Sequence, residues 1–256
     1  MEGPTPVSSL IHAATMVTAG IYLILRVSFL FKFATTTLIL ILAVGSVTTL
    51  FAASIGIVQV DIKKIVAYST CSQLGYMFMG CGFKGYQFVI FHLFIHAFFK
   101  ALLFLTAGYI IHLLMDEQDT RKMGGLLKLS QFSYIALNIG SLSLIGFPFL
   151  SGFYSKEKIL EELTLTLLKY DLLSNYHNIF SVVSFFSYTT LILTIVYSFS
   201  VLGDVFFGIF NGFKKTITYL SYSELFIVIP LFFLSILSIY SGFFFHNSMI
   251  GISTDF

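Results

Sequence analysis

Three titratable side chains recur at one-turn helical spacing inside an apolar stretch. His92, His96 and Lys100 stand at positions i, i+4 and i+8, and only Leu, Phe, Ile and Ala lie between them. In an α-helix this spacing places all three on one face, about 6 Å apart per step along the axis. Imidazole titrates near neutral pH, and burial favours the neutral form of lysine. Such a row, bridged by water, can pass protons.

The same three residues admit two other interpretations. An HxxxH pair can bind a metal ion, although no Glu, Asp or third His stands nearby in the sequence to complete the ligand set. The histidines can also serve only to satisfy hydrogen bonds between helices. Lys100 favours proton transfer over both, because a lysine at the centre of a membrane helix costs about 2.5–3.5 kcal/mol and needs a functional reason.

Two further residues are candidates for the same chemistry. Lys156 follows Gly152 and precedes Glu157, in a region where a helix break would leave loosened backbone to hydrate an ammonium group. The alternative is that Lys156 belongs to a wet interfacial loop. His12 lies in the first apolar stretch, where a lone histidine is more often a packing or hydrogen-bonding group.

Other basic residues carry simpler predictions. Lys63 and Lys64 begin an apolar stretch and are expected to be snorkelling anchors, with a channel entrance as the alternative. His112 is expected near the membrane interface, and His177 and His246 in loops.

The elements that position these residues must be membrane helices. The chain is 57% apolar and only 10% charged, with a mean hydropathy of +0.93, whereas soluble domains carry about 25% charged residues. The apolar runs are continuous and do not alternate, which predicts helices and not barrel strands. About seven spans of the required length are predicted, near Val7–Leu25, Thr36–Val60, Ile65–Gly82, Gln87–Met115, Phe132–Lys169, Ile179–Phe210 and Leu225–Phe245.

The fifth of these spans is too long for one straight crossing. It contains Gly146, Pro148 and Gly152, and proline removes a backbone donor and clashes with the preceding turn. We therefore expect two half-helices joined by a short unwound piece, with a simple proline kink as the alternative. The predicted fold class is an all-α integral membrane protein with one discontinuous helix near Pro148.

No cofactor is expected on this chain, and nucleic acid is not an expected partner. Cys71 and Cys81 form no CxxC motif, and neither a GxGxxG nor a GxxxxGK[ST] motif is present. The net charge of +2 is too small to indicate nucleic-acid binding.

Several stretches resemble, in the same order, subunit five of respiratory NADH dehydrogenase, the antiporter-like proton-channel subunit of mitochondrial complex I. They are residues 1–20, 61–75, 92–104, 116–125, 147–156, 197–198 and 249–256. The resemblance implies that His12 lines a channel and that His92, His96 and Lys100 belong to a central hydrophilic axis. It also implies that Lys156 belongs to the half-channel leading to the outer side.

The resemblance further implies a multi-pass protein of the mitochondrial inner membrane that translocates protons, driven by redox chemistry elsewhere. FMN and iron–sulfur clusters would reside in partner subunits. The expected partners are other membrane-arm subunits of complex I and lipid, with cardiolipin as a candidate. Residues 1–256 would form one antiporter-like transmembrane unit, a middle-to-C-terminal segment from a split gene. The earlier helices, including the first broken helix, and the lateral helix would then lie on other chains, with a truncated chain as the alternative.

Two other functions are compatible with the same residues. One is a subunit of a multi-subunit Na⁺/H⁺ antiporter, whose large subunit shares these motifs. The loop at residues 116–125 resembles the mitochondrial subunit and therefore favours complex I over the Na⁺/H⁺ antiporter. The other is a purely structural, degenerate fragment, which the retention of each matching His and Lys argues against.

Overall fold

The computed structural model describes residues 3, 5–31, 33–169, 177–211 and 225–250, and gives only the backbone of residues 6, 12–14, 169, 177 and 225–226. Within these ranges the chain is almost entirely helical and contains no β-strand, apart from an isolated bridge between Asp61 and Asp119. The prediction of an all-α membrane protein is confirmed.

Ten α-helices are present in the described part of the chain. They are α1 (Thr5–Val7), α2 (Ala19–Arg26), α3 (Ser28–Phe31), α4 (Thr35–Val58), α5 (Ile62–Gly82), α6 (Tyr86–Leu113), α7 (Gln131–Ile145), α8 (Ser151–Lys169), α9 (His177–Phe206) and α10 (Leu225–Ile250). A π-helical stretch, Ser8–Thr15, follows α1, and two short 3₁₀ turns, Thr120–Lys122 and Leu126–Lys128, precede α7. The first predicted span is therefore helical but irregular.

Four of the described helices are long and apolar enough to cross a membrane: Thr35–Val58, Tyr86–Leu113, Asn178–Phe206 and Ile227–Ile250. Their outward faces carry large apolar side chains exposed to the surroundings, among them Phe51, Phe185, Phe199 and Phe243. Water would not support such a surface, whereas lipid does. The chain is a multi-pass membrane protein.

α5 and α6 form the centre of the bundle. α5 packs on α4 and α6, and α6 also contacts α7, α8 and α10. Most residues of α5 are buried although its composition is more polar than that of the outer helices. The polar groups of α5 therefore face protein and not lipid, and the outer helices shield them.

The fifth predicted span is divided into α7 and α8. α7 ends at Ile145, Gly146 adopts φ +90°, Phe149 adopts φ +71°, and α8 begins at Ser151. Pro148 lies in the connection, where its missing N–H removes no helical hydrogen bond. The predicted pair of half-helices is confirmed, and the continuous, kinked helix is wrong.

The loop between α6 and α7 is held against the start of α5. The backbone N–H of Thr120 donates to the carbonyl oxygen of Val60 at 2.9 Å, and that of Ile62 donates to Gln118 at 3.1 Å. Arg121 contacts Asp119 at 2.8 Å on the surface. The hydrogen bond from this guanidinium lowers the pKa of the Asp119 carboxyl.

The prediction that Lys63 and Lys64 are both snorkelling anchors is half wrong. Lys64 is exposed and pairs with Asp61 at 2.7 Å. Lys63 is only 6% exposed, and its Nζ donates a long hydrogen bond, 3.4 Å, to the carbonyl oxygen of Gly3. This contact joins residues far apart in the chain, so a pattern of neighbouring charges does not reveal it.

The prediction that His177 and His246 lie in loops is wrong. His177 begins α9, and only its backbone is described. His246 lies within α10, where its ring packs edge-on against Phe91 of α6 and Tyr154 of α8, at centroid distances of 6.2 and 5.8 Å. α10 continues to Ile250, five residues past the predicted end, and His246 contacts α8 close to the break between α7 and α8.

The contact between α4 and α5 depends on two facing glycines. A Cβ atom added at Gly75 would lie 2.4 Å from Thr49 Cγ2 and 2.8 Å from the carbonyl oxygen of Gly45. One added at Gly45 would lie 2.8 Å from the backbone nitrogen of Met79. Backbones approach this closely only where side chains are absent, a common device between membrane helices.

Gly75→Ala is expected to destabilise the protein by about 1–3 kcal/mol, because the added methyl group overpacks a backbone contact. Thermal unfolding in detergent measures the effect. Gly203→Ala is the matched control, since a Cβ there meets nothing within 4 Å. Equal midpoints for the two variants would contradict the close packing.

Candidate functional site

α6 presents His92, His96 and Lys100 on one buried face, as their spacing predicts. Their side chains are 1%, 0% and 0% exposed, and the rings of His92 and His96 lie 6.1 Å apart between centroids. The residues between them are apolar, and the whole of α6 is long and apolar enough to cross a membrane. The face with the titratable groups therefore points into the bundle and not toward lipid.

Lys100 contacts a hydroxyl group of α5. Its Nζ donates to Ser69 Oγ at 2.5 Å, and Ser69 in turn donates to the carbonyl oxygen of Val66 at 2.7 Å. A buried amine needs such a partner because an unsatisfied polar group inside a bundle is destabilising. Ser69 is thus the first polar contact of the Lys100 side chain.

His92 connects two helices through both of its ring nitrogens. Its Nδ1 lies 2.8 Å from Ser155 Oγ of α8, and its Nε2 lies 3.2 Å from Gln73 Oε1 of α5. With the Gln73 oxygen facing the ring, Nε2 carries the hydrogen and donates it, and Nδ1 accepts from the Ser155 hydroxyl. The two bonds fix the orientation of the imidazole.

His96 has both ring nitrogens buried, and neither has a hydrogen-bond partner among the described residues. The Nε2 of Gln73 is buried and unpartnered in the same sense. The His96 ring packs edge-on against Phe99 at 5.3 Å. Buried polar groups of this kind are where internal water is usually bound.

Lys156 is buried at the break between α7 and α8. It is 3% exposed, and its Nζ lies 3.5 and 3.4 Å from the carbonyl oxygens of Leu144 and Ile145. These carbonyls end α7, where the helix dipole favours a positive charge. The interpretation of Lys156 as part of a wet interfacial loop is wrong, because α8 is helical there and turns this side chain inward.

An aromatic ring from α5 lies beneath the same ammonium group. Lys156 Nζ is 5.1 Å from the centroid of the Tyr76 ring, within the range of a cation–π contact. The Tyr76 hydroxyl donates to the carbonyl oxygen of Ser187 at 2.8 Å and also contacts the hydroxyl of Thr190. α9 thereby holds the ring that faces Lys156.

A cavity of about 690 Å³ adjoins Lys156. Its walls come from the α7–α8 break, from α8 and from α9. They include Glu157, Glu161 and Tyr188 together with apolar residues. Lys158 pairs with Glu161 at 2.7 Å nearby. The cavity gives Lys156 an adjoining space in a mainly apolar wall that also contains the carboxyl groups of Glu157 and Glu161.

The structure thus joins four of the five predicted residues in one region. Lys156 follows Ser155 in α8, Ser155 contacts His92, and His96 and Lys100 continue the row along α6. The fifth, His12, falls in the π-helical stretch Ser8–Thr15, and its side chain lies outside the described part of the chain. Their roles stay predictions.

Sequence reasoning missed the polar partners Ser69, Gln73, Tyr76 and Ser155. A signal was present, since residues 68–73 form an unbroken polar or thiol-bearing run, Tyr-Ser-Thr-Cys-Ser-Gln, inside a predicted span. Polar groups within a span usually face the bundle interior. Among the described residues no group of three or more His, Cys, Asp or Glu side chains could hold a metal ion.

Comparison with known protein families gives a match over most of the chain. A family described as the transmembrane part of NADH:quinone oxidoreductases and Mrp antiporters matches residues 1–174. The matched range contains α1 to α8 and therefore each residue of the buried row.

Curated relatives are similar over the whole chain. It is 51% identical over 260 residues to NADH-ubiquinone oxidoreductase chain 5 of Acanthamoeba castellanii, and the match covers 100% of the chain and 37% of that relative. It is 50% identical over 256 residues to the protein of the same name from Marchantia polymorpha, with the same coverage. The chain thus spans little more than a third of the length of these relatives.

A solved structure has a similar fold. The Mrp complex from Dietzia sp. DQ12-45-1b contains a chain that superposes with a TM-score of 0.78 at 26% identity, covering 99% of this chain and 27% of that chain. The arrangement of helices is therefore shared between the two.

Cysteine labelling tests the burial of Lys156. In a variant lacking Cys71 and Cys81, Glu157→Cys is expected to react with a water-soluble maleimide several-fold faster than Lys156→Cys, because position 157 is exposed and position 156 is buried. The rates are measured in detergent-solubilised protein. Equal rates would show that Lys156 lies in a wet loop after all.

Proposed function

The chain belongs to the transmembrane family shared by NADH:quinone oxidoreductases and Mrp antiporters, and we propose that it translocates protons as a segment of the antiporter-like subunit five of NADH:ubiquinone oxidoreductase. The proposal extends to the whole enzyme, whose NADH-driven activity this chain would share as a subunit. The relatives named NADH-ubiquinone oxidoreductase chain 5 support this choice within the family.

One observation carries the proposal: four titratable side chains, those of Lys100, His96, His92 and Lys156, are buried in one region of the bundle beside the helix break. Lys100 contacts Ser69, and His92 contacts Ser155, the neighbour of Lys156. Proton transfer explains why such groups are retained at a burial that disfavours their charged forms. A structural role would be served as well by apolar side chains.

In the proposed path a proton passes from Lys100 to His96 and His92 and leaves through Lys156. The step between Lys100 and His92 runs through His96, whose free nitrogens would bind water. Two unit charges about 6 Å apart interact by on the order of 3 kcal/mol at an effective dielectric constant of about 20. A proton bound at one position therefore disfavours protonation of the next, and protonation states along the row are coupled.

The driving force would come from redox chemistry elsewhere in the enzyme. FMN and iron–sulfur clusters would lie in partner subunits, and their turnover would change the electrostatic field along the membrane arm. This chain's own residues hold and move protons. The location that follows is the mitochondrial inner membrane, with other membrane-arm subunits and lipid, cardiolipin among the candidates, as neighbours.

We further propose that residues 1–256 form one antiporter-like unit that works together with other chains. The chain spans little more than a third of the length of its curated relatives, so a complete proton channel would also include the helices of the remaining part, and His12 would line that channel.

A second candidate is a subunit of a multi-subunit Na⁺/H⁺ antiporter, supported by the similarity to the Mrp complex chain. Purification under mild conditions distinguishes the two. Recovery with NADH-oxidising subunits supports the first function, whereas Na⁺-driven proton exchange without NADH oxidation supports the second.

Lys100→Ala and Lys156→Ala are each expected to abolish or strongly reduce proton pumping by the intact enzyme in membrane vesicles, with assembly mostly retained. Each substitution removes a buried amine that the path requires. The number of protons moved per NADH oxidised is the measurement.

Lys64→Ala is the matched control, since Lys64 is an exposed lysine paired with Asp61 outside the row. It should pump normally. Near-normal pumping in both of the buried-lysine variants would defeat the proposed path.

A further inference from the structure

His92 contacts two chemically different partners on its two sides. The Ser155 hydroxyl lies 2.8 Å from Nδ1, and the Gln73 amide oxygen lies 3.2 Å from Nε2. The partners belong to different helices, α8 and α5, so movement of either helix relative to α6 changes one of the two contacts. Sequence patterns alone predict no role for Gln73 or Ser155.

The two partners differ in their ability to pass a proton. A hydroxyl group is donor and acceptor at once, so it can take a proton on oxygen while it releases its own. An amide oxygen accepts a hydrogen bond but is a very weak base, and it does not take the proton. The Ser155 side of His92 is therefore open to proton transfer, and the Gln73 side is closed.

Gln73 is held loosely for a buried amide. Its Nε2 has no partner among the described residues, and the same is true of both nitrogens of His96, one turn along α6. Rotation of the amide about its last side-chain bonds would lose only the bond to His92. It would free His92 Nε2, and the His96 ring lies 6.1 Å from the His92 ring between centroids.

We propose that Gln73 is a gate that holds the proton on His92 Nε2 and prevents its return toward His96. In the forward step, with Gln73 turned away, Nε2 accepts a proton from the His96 side and the ring becomes imidazolium. Nδ1 then releases its proton to Ser155 Oγ, and Ser155 passes its own hydrogen toward Lys156. One proton enters, one leaves, and the neutral ring with Nε2–H is held by Gln73, the form that fits the 3.2 Å distance between Nε2 and Gln73 Oε1.

The ring must then return to its starting form. That form is the other tautomer of the ring, with the hydrogen on Nδ1 toward Ser155 and a bare Nε2 toward α5. Gln73 can satisfy that nitrogen by presenting its NH₂ group instead of its oxygen, and Ser155 can accept from the ring while it donates to the carbonyl oxygen of Gly152, 3.3 Å away. Each partner thus fits both forms of His92.

This gate rests on the proposed proton path, and its test needs the intact enzyme in vesicles. Gln73→Leu keeps the approximate volume but cannot hold the Nε2 proton. We expect a pH gradient imposed without NADH to decay several-fold faster than with the unaltered enzyme. Ser155→Ala removes the hydroxyl group that accepts the proton from His92 Nδ1. This variant should therefore lose most of the pumping, while its imposed pH gradient should decay no faster than with the unaltered enzyme.

Gln73→Glu tests the same gate through pH. A carboxylate beside the ring favours the imidazolium form, so release toward Ser155 should require a higher pH and the pumping profile should shift upward. The other titratable groups around His92 are Lys156 from α8 and His96 and Lys100 from α6, and this substitution leaves them unchanged.

Thr70→Val is the matched control on α5, because Thr70 is buried and its hydroxyl donates within its own helix, to Ala67 at 2.6 Å. If both Gln73 variants match Thr70→Val in leak rate and pH profile, the gate is wrong. If the Gln73 variants match this control while Lys100→Ala and Lys156→Ala lose pumping in the same vesicles, the gate is wrong and the proton path is retained. If the two lysine variants also pump normally, both the proton path and the gate are wrong.

Discussion

Placing amines and imidazoles inside a lipid-embedded bundle is the constraint on which the rest of this structure depends. Each such group would cost several kcal/mol if it were left without partners. Lys100 donates a hydrogen bond to Ser69. Lys156 contacts the carbonyl oxygens at the end of α7 and the face of the Tyr76 ring. α5 supplies both Ser69 and Tyr76, which explains why the most polar of the central helices is also the most completely enclosed.

The break between α7 and α8 provides what a continuous helix could not. It frees backbone carbonyls at membrane depth and lets Ser155 approach His92. The two half-helices touch closely, since a Cβ at Gly152 would lie 1.8 Å from the carbonyl oxygen of Ser143. α10 covers the break, and Ser151 donates to the carbonyl oxygen of Ser238 at 2.5 Å. Irregular backbone is tolerated there because protein surrounds it on these sides.

Much of this arrangement was predictable from local patterns. The shared face of His92, His96 and Lys100 follows from a period of 3.6 residues alone, and the break near Pro148 follows from proline chemistry and span length. Both predictions depend only on residues close together in the chain.

The remaining features depend on which helices pack together. Lys156 lies in a Lys-Glu-Lys run that is equally typical of a membrane interface, and only the docking of α8 against α5 and α7 turns it inward. The pairing of His92 with Gln73 and Ser155 joins residues 19 and 63 positions apart. Lys63 donates to the carbonyl oxygen of Gly3, 60 positions away in the chain. No local periodicity encodes such contacts.

The most direct test of the account is a structure of the intact enzyme at a resolution that shows water. We expect ordered water within about 2.7–3.2 Å of a His96 ring nitrogen, continuing toward Lys100 on one side and toward Gln73 and His92 on the other. A dry His96, enclosed by apolar side chains and separated from both neighbours, would contradict the claim that this row carries protons.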